Sequence, residues 1–275
     1  MFQPYIIFSD LDGTLLDYHT YSFEPALPAI EYITNSGIPL ILVSSKTAEE
    51  IVFYQRAIGL IDLPFVVENG SAIYTPIDYF SNAGSYDVRG KFQRYVLGKT
   101  YQEINTILIH ISEQYRYIIN GFHNASREEI KSKTALSIKE VEMAQQREFS
   151  IPLFYDPEAE RILKKEIPRY NLQILYGGRF MHLLGKVDKG EAMRIIMDGY
   201  RQRLDNEDLK SIALGDSLND FEMLAAADFP ILVKRHDGTY EMRQKVENII
   251  YSPDIGPAGW NRSLSEILRI GGRNE

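Results

Sequence analysis

The chain contains no cysteine. A disulfide framework, a thiolate metal site and a cysteine nucleophile are therefore excluded. Basic charge is also scarce, with 30 Lys and Arg against 38 Asp and Glu and a net charge of −8. A broad nucleic-acid or anionic-membrane surface does not fit that balance, so no nucleic-acid and no membrane partner is expected. A phosphorylated substrate would need a local basic pocket inside an acidic whole. Long apolar runs are missing as well. Short ones such as Ile38–Val43 suit buried strands rather than the ~20 residues of a membrane span. No basic segment precedes the first apolar run, so no secretory leader is read there and the expected location is cytoplasmic. Tryptophan occurs once, and the 18 tyrosines are scattered rather than grouped into a base-stacking platform.

What remains is the profile of an ordinary globular protein, 44% hydrophobic and 25% charged, with 275 residues for one large domain or two smaller ones. The first third alternates strand and helix. Strands are expected at Tyr5–Ser9, Ile38–Val43 and Phe65–Val67, and helices at Glu24–Asn35 and Ala48–Ile58. Glu68-Asn69-Gly70 then reads as a hairpin turn into Ala72–Tyr74. The last third resumes the rhythm, with helices at Gly190–Leu204 and Phe221–Ala227 and strands at Ser211–Leu214 and Phe229–Val233. Helices between strands imply right-handed βαβ units and a mainly parallel sheet. Residues 81–185 break the pattern. Helices at Glu103–Gln114 and Pro157–Tyr170, with strands near Leu153–Tyr155, Leu172–Leu175 and Arg179–Leu183, read as an α+β insertion. The expected division is a core of 1–80 and 186–275 with an inserted domain at 81–185.

Two aspartates, Asp10 and Asp12, end the first strand ahead of Gly13-Thr14. Like charges so close raise each other's pKa unless a cation or proton lies between them, which points to a divalent metal, a carboxylate nucleophile, or both. Three further pieces fall where open α/β sheets place their sites, beyond the carboxyl ends of strands. They are Ser44-Ser45-Lys46-Thr47, Asp188-Lys189-Gly190 and Gly215-Asp216-Ser217-Leu218-Asn219-Asp220. Together they carry what phosphoryl transfer needs. A carboxylate can form an aspartyl phosphate, and oxygen ligands suit Mg²⁺. A hydroxyl and an ammonium can hold phosphoryl oxygens, and a second carboxyl group can move protons.

These four pieces, in this order, resemble the motifs of the haloacid dehalogenase (HAD) superfamily. The resemblance implies an α/β fold with a HAD-like Rossmannoid three-layer core and an inserted cap of type IIB. It implies that Asp10 is the nucleophile, Asp12 the general acid/base, and Ser44 and Lys189 the phosphate-binding pair. Mg²⁺ would be held by Asp10, the main-chain carbonyl of Asp12 and Asp216, with Asn219 and Asp220 as further support. Further stretches resemble the mannosyl-3-phosphoglycerate phosphatase subfamily: Ser44-Ser45-Lys46-Thr47, Glu68-Asn69-Gly70, Arg147-Glu148-Phe149-Ser150, Gly177 to His182, and Gly256-Pro257-Ala258-Gly259-Trp260. That subfamily implies a small phosphorylated sugar-glycerate substrate, hydrolysed to mannosylglycerate, a compatible solute. Lys46, Asn69, Arg147, Arg179 and His182 are the candidate substrate-binding residues, arginine being suited to bidentate carboxylate recognition. Ile151 departs from the subfamily pattern, in which Glu stands between the Ser and the Pro. If that position reads the sugar, a glucosyl compound or another sugar phosphate becomes the alternative substrate. A phosphomutase, with an acceptor hydroxyl in place of water, is a further alternative. Trp260 is expected in a Gly-Pro loop.

Overall fold

The structure is a computed structural model and describes residues 5–80, 86–134, 136–177, 180–241 and 246–270. The chain begins with β1 (Tyr5–Ser9), α1 (Leu27–Asn35), β2 (Leu40–Val43), α2 (Ala48–Ile58) and β3 (Phe65–Val67). Three antiparallel strands follow: β4 (Ala72–Pro76), β5 (Asp87–Arg89) and β6 (Phe92–Val96). Next come α3 (Tyr101–Tyr115), α4 (Arg127–Thr134), α5 (Ile138–Ala144), β7 (Ser150–Leu153), α6 (Pro157–Glu166), β8 (Leu172–Gly177) and β9 (Phe180–Gly185). The chain then returns through α7 (Lys189–Leu204), β10 (Lys210–Gly215), α8 (Phe221–Ala226), β11 (Phe229–Lys234), β12 (Ile250–Ile255) and α9 (Gly256–Leu268).

Among the described residues, nine strands form one sheet in the order β12-β11-β10-β1-β2-β3-β4-β6-β5. From β12 to β3 the pairs are parallel, and β4, β6 and β5 continue the sheet antiparallel. The first crossovers leave β1 toward β2 and β3, and the later ones fill the other side with β10, β11 and β12. The chain direction therefore switches at β1, and a crevice opens beyond its carboxyl end.

Alternation along the strands builds the two faces. Ile7, Leu40 and Leu42 pack with Ile30, Ile51, Trp260 and Leu264 of α1, α2 and α9. Ile6, Phe8, Ile41 and Val43 pack with Met193, Ile196 and Met223 of α7 and α8. Both faces are covered, as parallel sheets require, and the strands read as continuous apolar runs for that reason. The result is the three-layer core that the motifs implied.

The inserted unit has its own antiparallel sheet, β7-β9-β8. Ile151, Leu153, Met181 and Leu183 point to one face and pack on Ile104, Leu108, Ile162 and Leu163 of α3 and α6. Pro152 and His182, partners across the β7–β9 ladder, occupy the other face by the two-residue period. Residues 87–96 fall within the expected insertion of 81–185, yet β5 and β6 belong to the large sheet. The cap's own elements run from Tyr101 to Gly185. Its two connections meet where Gly185 lies so close to Lys99 that a Cβ would stand 2.7 Å from the Lys99 nitrogen.

Candidate active site

Asp10 follows β1 directly and is held by a hydrogen bond from its N–H to the Leu214 carbonyl, 2.9 Å away on the neighbouring strand β10. Its own carbonyl accepts from the Ser9 hydroxyl at 2.7 Å. That hydroxyl in turn accepts from Trp260 Nε1 at 2.9 Å. Trp260 was expected in a loop. It lies instead inside α9, where Pro257 occupies the first turn and needs no N–H partner. The only tryptophan therefore buttresses the first aspartate loop from behind the sheet.

Lys189 begins α7 and is completely buried. Its ammonium donates to Asp10 Oδ1 and to Asp220 Oδ1, each at 2.6 Å. Burial alone would lower its pKa, but the two carboxylates hold it above the ordinary value. The second oxygen of Asp220 accepts from the backbone N–H groups of Asp216 and Ser217, both at 3.1 Å. Asp220 therefore ties the lysine to the turn that carries Asp216. Among the described residues, the Asp216 carboxylate accepts a long 3.4 Å bond from Thr14 Oγ1. Gly13, at φ +78°, leaves just enough room for it, since a Cβ there would stand 2.7 Å from Asp216 Oδ2.

Asp10, Asp216 and Asp220 each place a carboxylate oxygen within 4.8 Å of the others, and all three are buried. One buried lysine does not balance three carboxylates. Burial, reinforced by Asp220 and Asp12, pushes Asp10 up to about 7 although Lys189 pulls the other way. Burial and the Asp220 charge likewise raise Asp216 well above the carboxylate range. A cluster of hard oxygen donors that resists losing its protons suits a small divalent cation such as Mg²⁺. Asp10 and Asp216 have the more open oxygens, because both oxygens of Asp220 are already bonded.

Asp12 is set apart from this trio. Its side chain is one-third exposed (34%), and Oδ1 pairs with Lys46 Nζ at 2.9 Å. Lys46 also faces Glu50 at 3.7 Å and lies beneath the Tyr21 ring. Burial would lower its pKa, but Asp12 and Glu50 raise it above the ordinary value. Lys46 therefore enters the site as the partner of Asp12, with its charge already engaged. Ser44, one residue past β2, is fully buried. Its Oγ accepts from the Lys46 N–H at 3.3 Å, and Ser45 rather than Ser44 lines the cleft.

That cleft lies between core and cap. Asp10, Asp12, Asp216 and Asn219 line it from the core, and Pro152, Tyr176, Phe180 and His182 from the cap. Arg147 also lines it, but Nε donates to the Ala144 carbonyl and Nη1 to the Ser45 carbonyl and to Ser150 Oγ. Asn69 is buried away from the lining, with Oδ1 accepting from Asn219 Nδ2 at 2.9 Å. Asn219 in turn accepts the Ser217 hydroxyl, so it secures two turns. Arg179 lies outside the described residues. Ile151 is fully buried in the cap's apolar core, so this departure from the subfamily pattern does not reach the cleft.

The sequence reading missed Tyr18, Tyr21, Phe122, Arg235 and Glu241, all of which line the cleft. Arg235 Nη1 pairs with Glu241 at 2.6 Å. It directly follows β11, so the rule that sites gather beyond strand carboxyl ends could have found it. Phe122 lies between recognisable elements and carried no signal of its own.

A sequence profile described as haloacid dehalogenase-like hydrolase matches residues 7–254. A protein of Methanococcoides burtonii is 37% identical over 270 residues, covering 97% of this chain and 98% of its own, and is named glucosyl-3-phosphoglycerate/mannosyl-3-phosphoglycerate phosphatase. A protein of the same name from Persephonella marina is 37% identical over 265 residues, covering 96% and 97%. Among solved structures, a phosphatase of the HAD enzyme superfamily from Bacteroides thetaiotaomicron superposes with a TM-score of 0.67 at 18% identity, covering 96% of this chain and 95% of that one. A HAD subclass IIB sugar phosphatase superposes with a TM-score of 0.63 at 16% identity, covering 96% and 99%. With the aspartate site, the capped three-layer fold and a profile that spans most of its length, this chain belongs to the haloacid dehalogenase-like hydrolases and carries the cap of their IIB subclass.

Proposed function

We propose that the protein is a Mg²⁺-dependent phosphatase that hydrolyses the phosphate monoester of glycosyl-3-phosphoglycerates, the mannosyl and the glucosyl compound alike. The observation that carries the substrate is the 37% identity, over 97% of the chain, to a relative whose name gives both sugars. Ile151, the ground for setting a glucosyl compound beside the mannosyl one, is buried in the cap core.

The chemistry follows from the residues. Asp10 attacks phosphorus with the oxygen that Lys189 leaves open, forming an aspartyl phosphate as the P–O bond to glycerate breaks. Asp12, which reaches the cleft, gives its proton to the departing glycerate oxygen. It then takes a proton from the water that attacks the aspartyl phosphate, and phosphate leaves Asp10 as a carboxylate. Lys189 keeps Asp10 in place, and its ammonium, 2.6 Å from Asp10 Oδ1, is the donor at hand for the phosphoryl oxygens, whereas Ser44 stands behind the lining. Asp10, Asp216 and the Asp12 carbonyl would hold Mg²⁺, which when bound would supply positive charge against those oxygens. His182 and the aromatic side chains of Tyr176, Phe122 and Phe180 offer the sugar a wall, and Arg235, which lines the same cleft, is the cation offered to the glycerate carboxylate.

The test is phosphate release by purified protein with Mg²⁺ over mannosyl- and glucosyl-3-phosphoglycerate and a panel of simple hexose phosphates. The two glycosyl compounds are expected to lead in kcat/KM by at least ~100-fold, because a site with buried polar groups rejects ligands that leave them unpaired. A hexose phosphate at the head of the panel overturns the substrate. Normal turnover by folded Asp10→Asn protein overturns the mechanism, and transfer products in place of free phosphate overturn hydrolysis.

A further inference from the structure

The turn Glu68-Asn69-Gly70 carries three successive left-handed residues, at φ 46°, 62° and 95°. Only the third is glycine, and such a run at side-chain-bearing residues persists only where its surroundings over-determine it. The core does so on several sides. Glu68 N–H donates to the Lys46 carbonyl at 3.1 Å, and Asn69 N–H to the Ser44 carbonyl at 3.0 Å. Asn69 Oδ1 receives Asn219 Nδ2. Gly70 packs against the Asp188 carbonyl, where a Cβ would not fit. The turn is therefore a rigid platform among the loops that carry Ser44, Lys189 and Asn219.

The Glu68 side chain points the other way, into the cap. It is 1% exposed and ionisable, a costly placement unless every oxygen is bonded. Its hydrogen-bond partners among the described residues come from 148–150, the end of the α5–β7 connection and the first residue of β7. Oε1 accepts from the Glu148 N–H at 2.8 Å. Oε2 accepts from the Phe149 N–H at 3.2 Å and the Ser150 hydroxyl at 2.6 Å. Around this centre the same segment is clasped by other core groups. Thr47 Oγ1 donates to the Met143 carbonyl at 3.0 Å, Arg147 to the Ser45 carbonyl at 2.7 Å, and both Tyr74 and Arg94 to the Glu148 carboxylate. The Glu148 carbonyl accepts the Tyr101 N–H at 2.6 Å, at the point where the chain enters the cap.

We propose that Glu68 is a positioning residue for the reaction: its carboxylate receives the 148–150 edge of the cap and fixes the angle at which the cap stands over Asp10. The contact lies close to the two connections near Lys99 and Gly185, so a small displacement there becomes a large one at Pro152 and His182. The platform is held by the core independently of Glu68. A change at this side chain is therefore passed outward to the cap wall and not inward to the aspartates. A substrate that needs the wall should feel it, and one that needs only the aspartates should not.

The experiment compares wild type with Glu68→Gln, which keeps the shape but offers one acceptor oxygen where three donors converge, and with the milder Ser150→Ala. Amide hydrogen exchange over 146–150 is read first, with Mg²⁺ present. Steady-state kinetics then use p-nitrophenyl phosphate and a glycosyl-3-phosphoglycerate. In Glu68→Gln, exchange over 146–150 is expected to rise at least ~10-fold with β1 and β10 unchanged. The kcat/KM for the glycosyl compound should fall at least ~30-fold while that for p-nitrophenyl phosphate stays within ~3-fold. Ser150→Ala should move both readouts less, in the same direction. Unchanged exchange over 146–150 overturns the proposal, as does an equal loss on both substrates. The kinetic comparison rests on the substrate class proposed above. If wild type ignores glycosyl-3-phosphoglycerates, that reading fails, and the exchange measurement still decides the role of Glu68.

Discussion

The Lys46 ammonium and Asp12 Oδ1 stand 2.9 Å apart, and Glu50 closes the other side of the lysine. The pair holds the proposed proton carrier at the edge of the cleft, away from the buried trio of Asp10, Asp216 and Asp220. Two aspartates separated by one residue thus acquire different surroundings, one in the buried carboxylate cluster beside Lys189 and the other at the cleft edge beside Lys46.

Replacing Lys46 by Met keeps the length of the side chain and removes the charge that orients Asp12. The kcat for an alkyl phosphate is expected to fall ~10–100-fold, part of the ~10²–10⁴-fold that a positioned general acid contributes. For p-nitrophenyl phosphate the loss should be much smaller, since that leaving group departs without a proton. Steady-state kinetics on both substrates check this. An equal loss on both would assign Lys46 to substrate binding instead.

The raised carboxylates give the metal-free protein a signed pH dependence. Asp10 is carried from an ordinary 3.8 up to about 7, chiefly by burial. Between those values the folded protein holds a proton that the unfolded chain has lost, so stability falls as pH rises through that window. Asp216 is raised as well and acts in the same direction. Mg²⁺ must displace these protons, so it should stabilise the protein more at pH 8 than at pH 5.5. Calorimetry with Mg²⁺ or with EDTA at the two pH values measures this. An equal gain in Tm at both would contradict it.

Trp260 offers a third test, because its ring is completely buried and its N–H reaches Ser9 beneath Asp10. Trp260→Phe keeps an aromatic ring, leaves a small void and removes the donor. A destabilisation of about 1–3 kcal/mol is expected, read as a lower urea midpoint in circular dichroism. In the wild type the same residue should emit as a buried indole and shift to the red on unfolding.

How far the sequence could be read depended on what its local pattern had to encode. β1, β2, β10 and β11 were legible because strands covered on both faces are short apolar runs, and the motif residues follow from their ends. α9 was not, since Gly256, Pro257 and Gly259 suggest a loop. Gly259 is there because α9 crosses β12 closely, where a Cβ would stand 2.7 Å from Ser252 Oγ. α4 was missed because only Ile130 and Thr134 of its eight residues are buried, which leaves no apolar stripe. Pro152 obscured β7, which lies at 150–153 instead of near 153–155. β5 is exposed throughout and too short to show alternation, so its place in the large sheet leaves no local signal. The cap–core pairings were beyond any local signal: Arg147 meets the Ser45 carbonyl across 102 positions of chain.

Ile151 is where sequence pattern and structure part, and its replacement separates two accounts of the subfamily's glutamate. If the position reads the sugar, Ile151→Glu should shift preference between mannosyl and glucosyl compounds and leave the fold intact. In this chain the side chain is 0% exposed among Leu153, Leu183 and Leu163. A carboxylate there has no cation among its apolar neighbours, and an unpaired buried charge costs several kcal/mol before it takes up a proton. The expected outcome is a cap loosened or unfolded at neutral pH and partly recovered toward pH 5, where protonation removes the charge. The ratio of kcat/KM for the two sugars should stay within ~3-fold, since a side chain outside the cleft cannot discriminate between them. Thermal unfolding at the two pH values, with kinetics on both substrates, distinguishes the accounts. A changed sugar ratio in a protein of normal stability would show that residue 151 reaches the cleft after all.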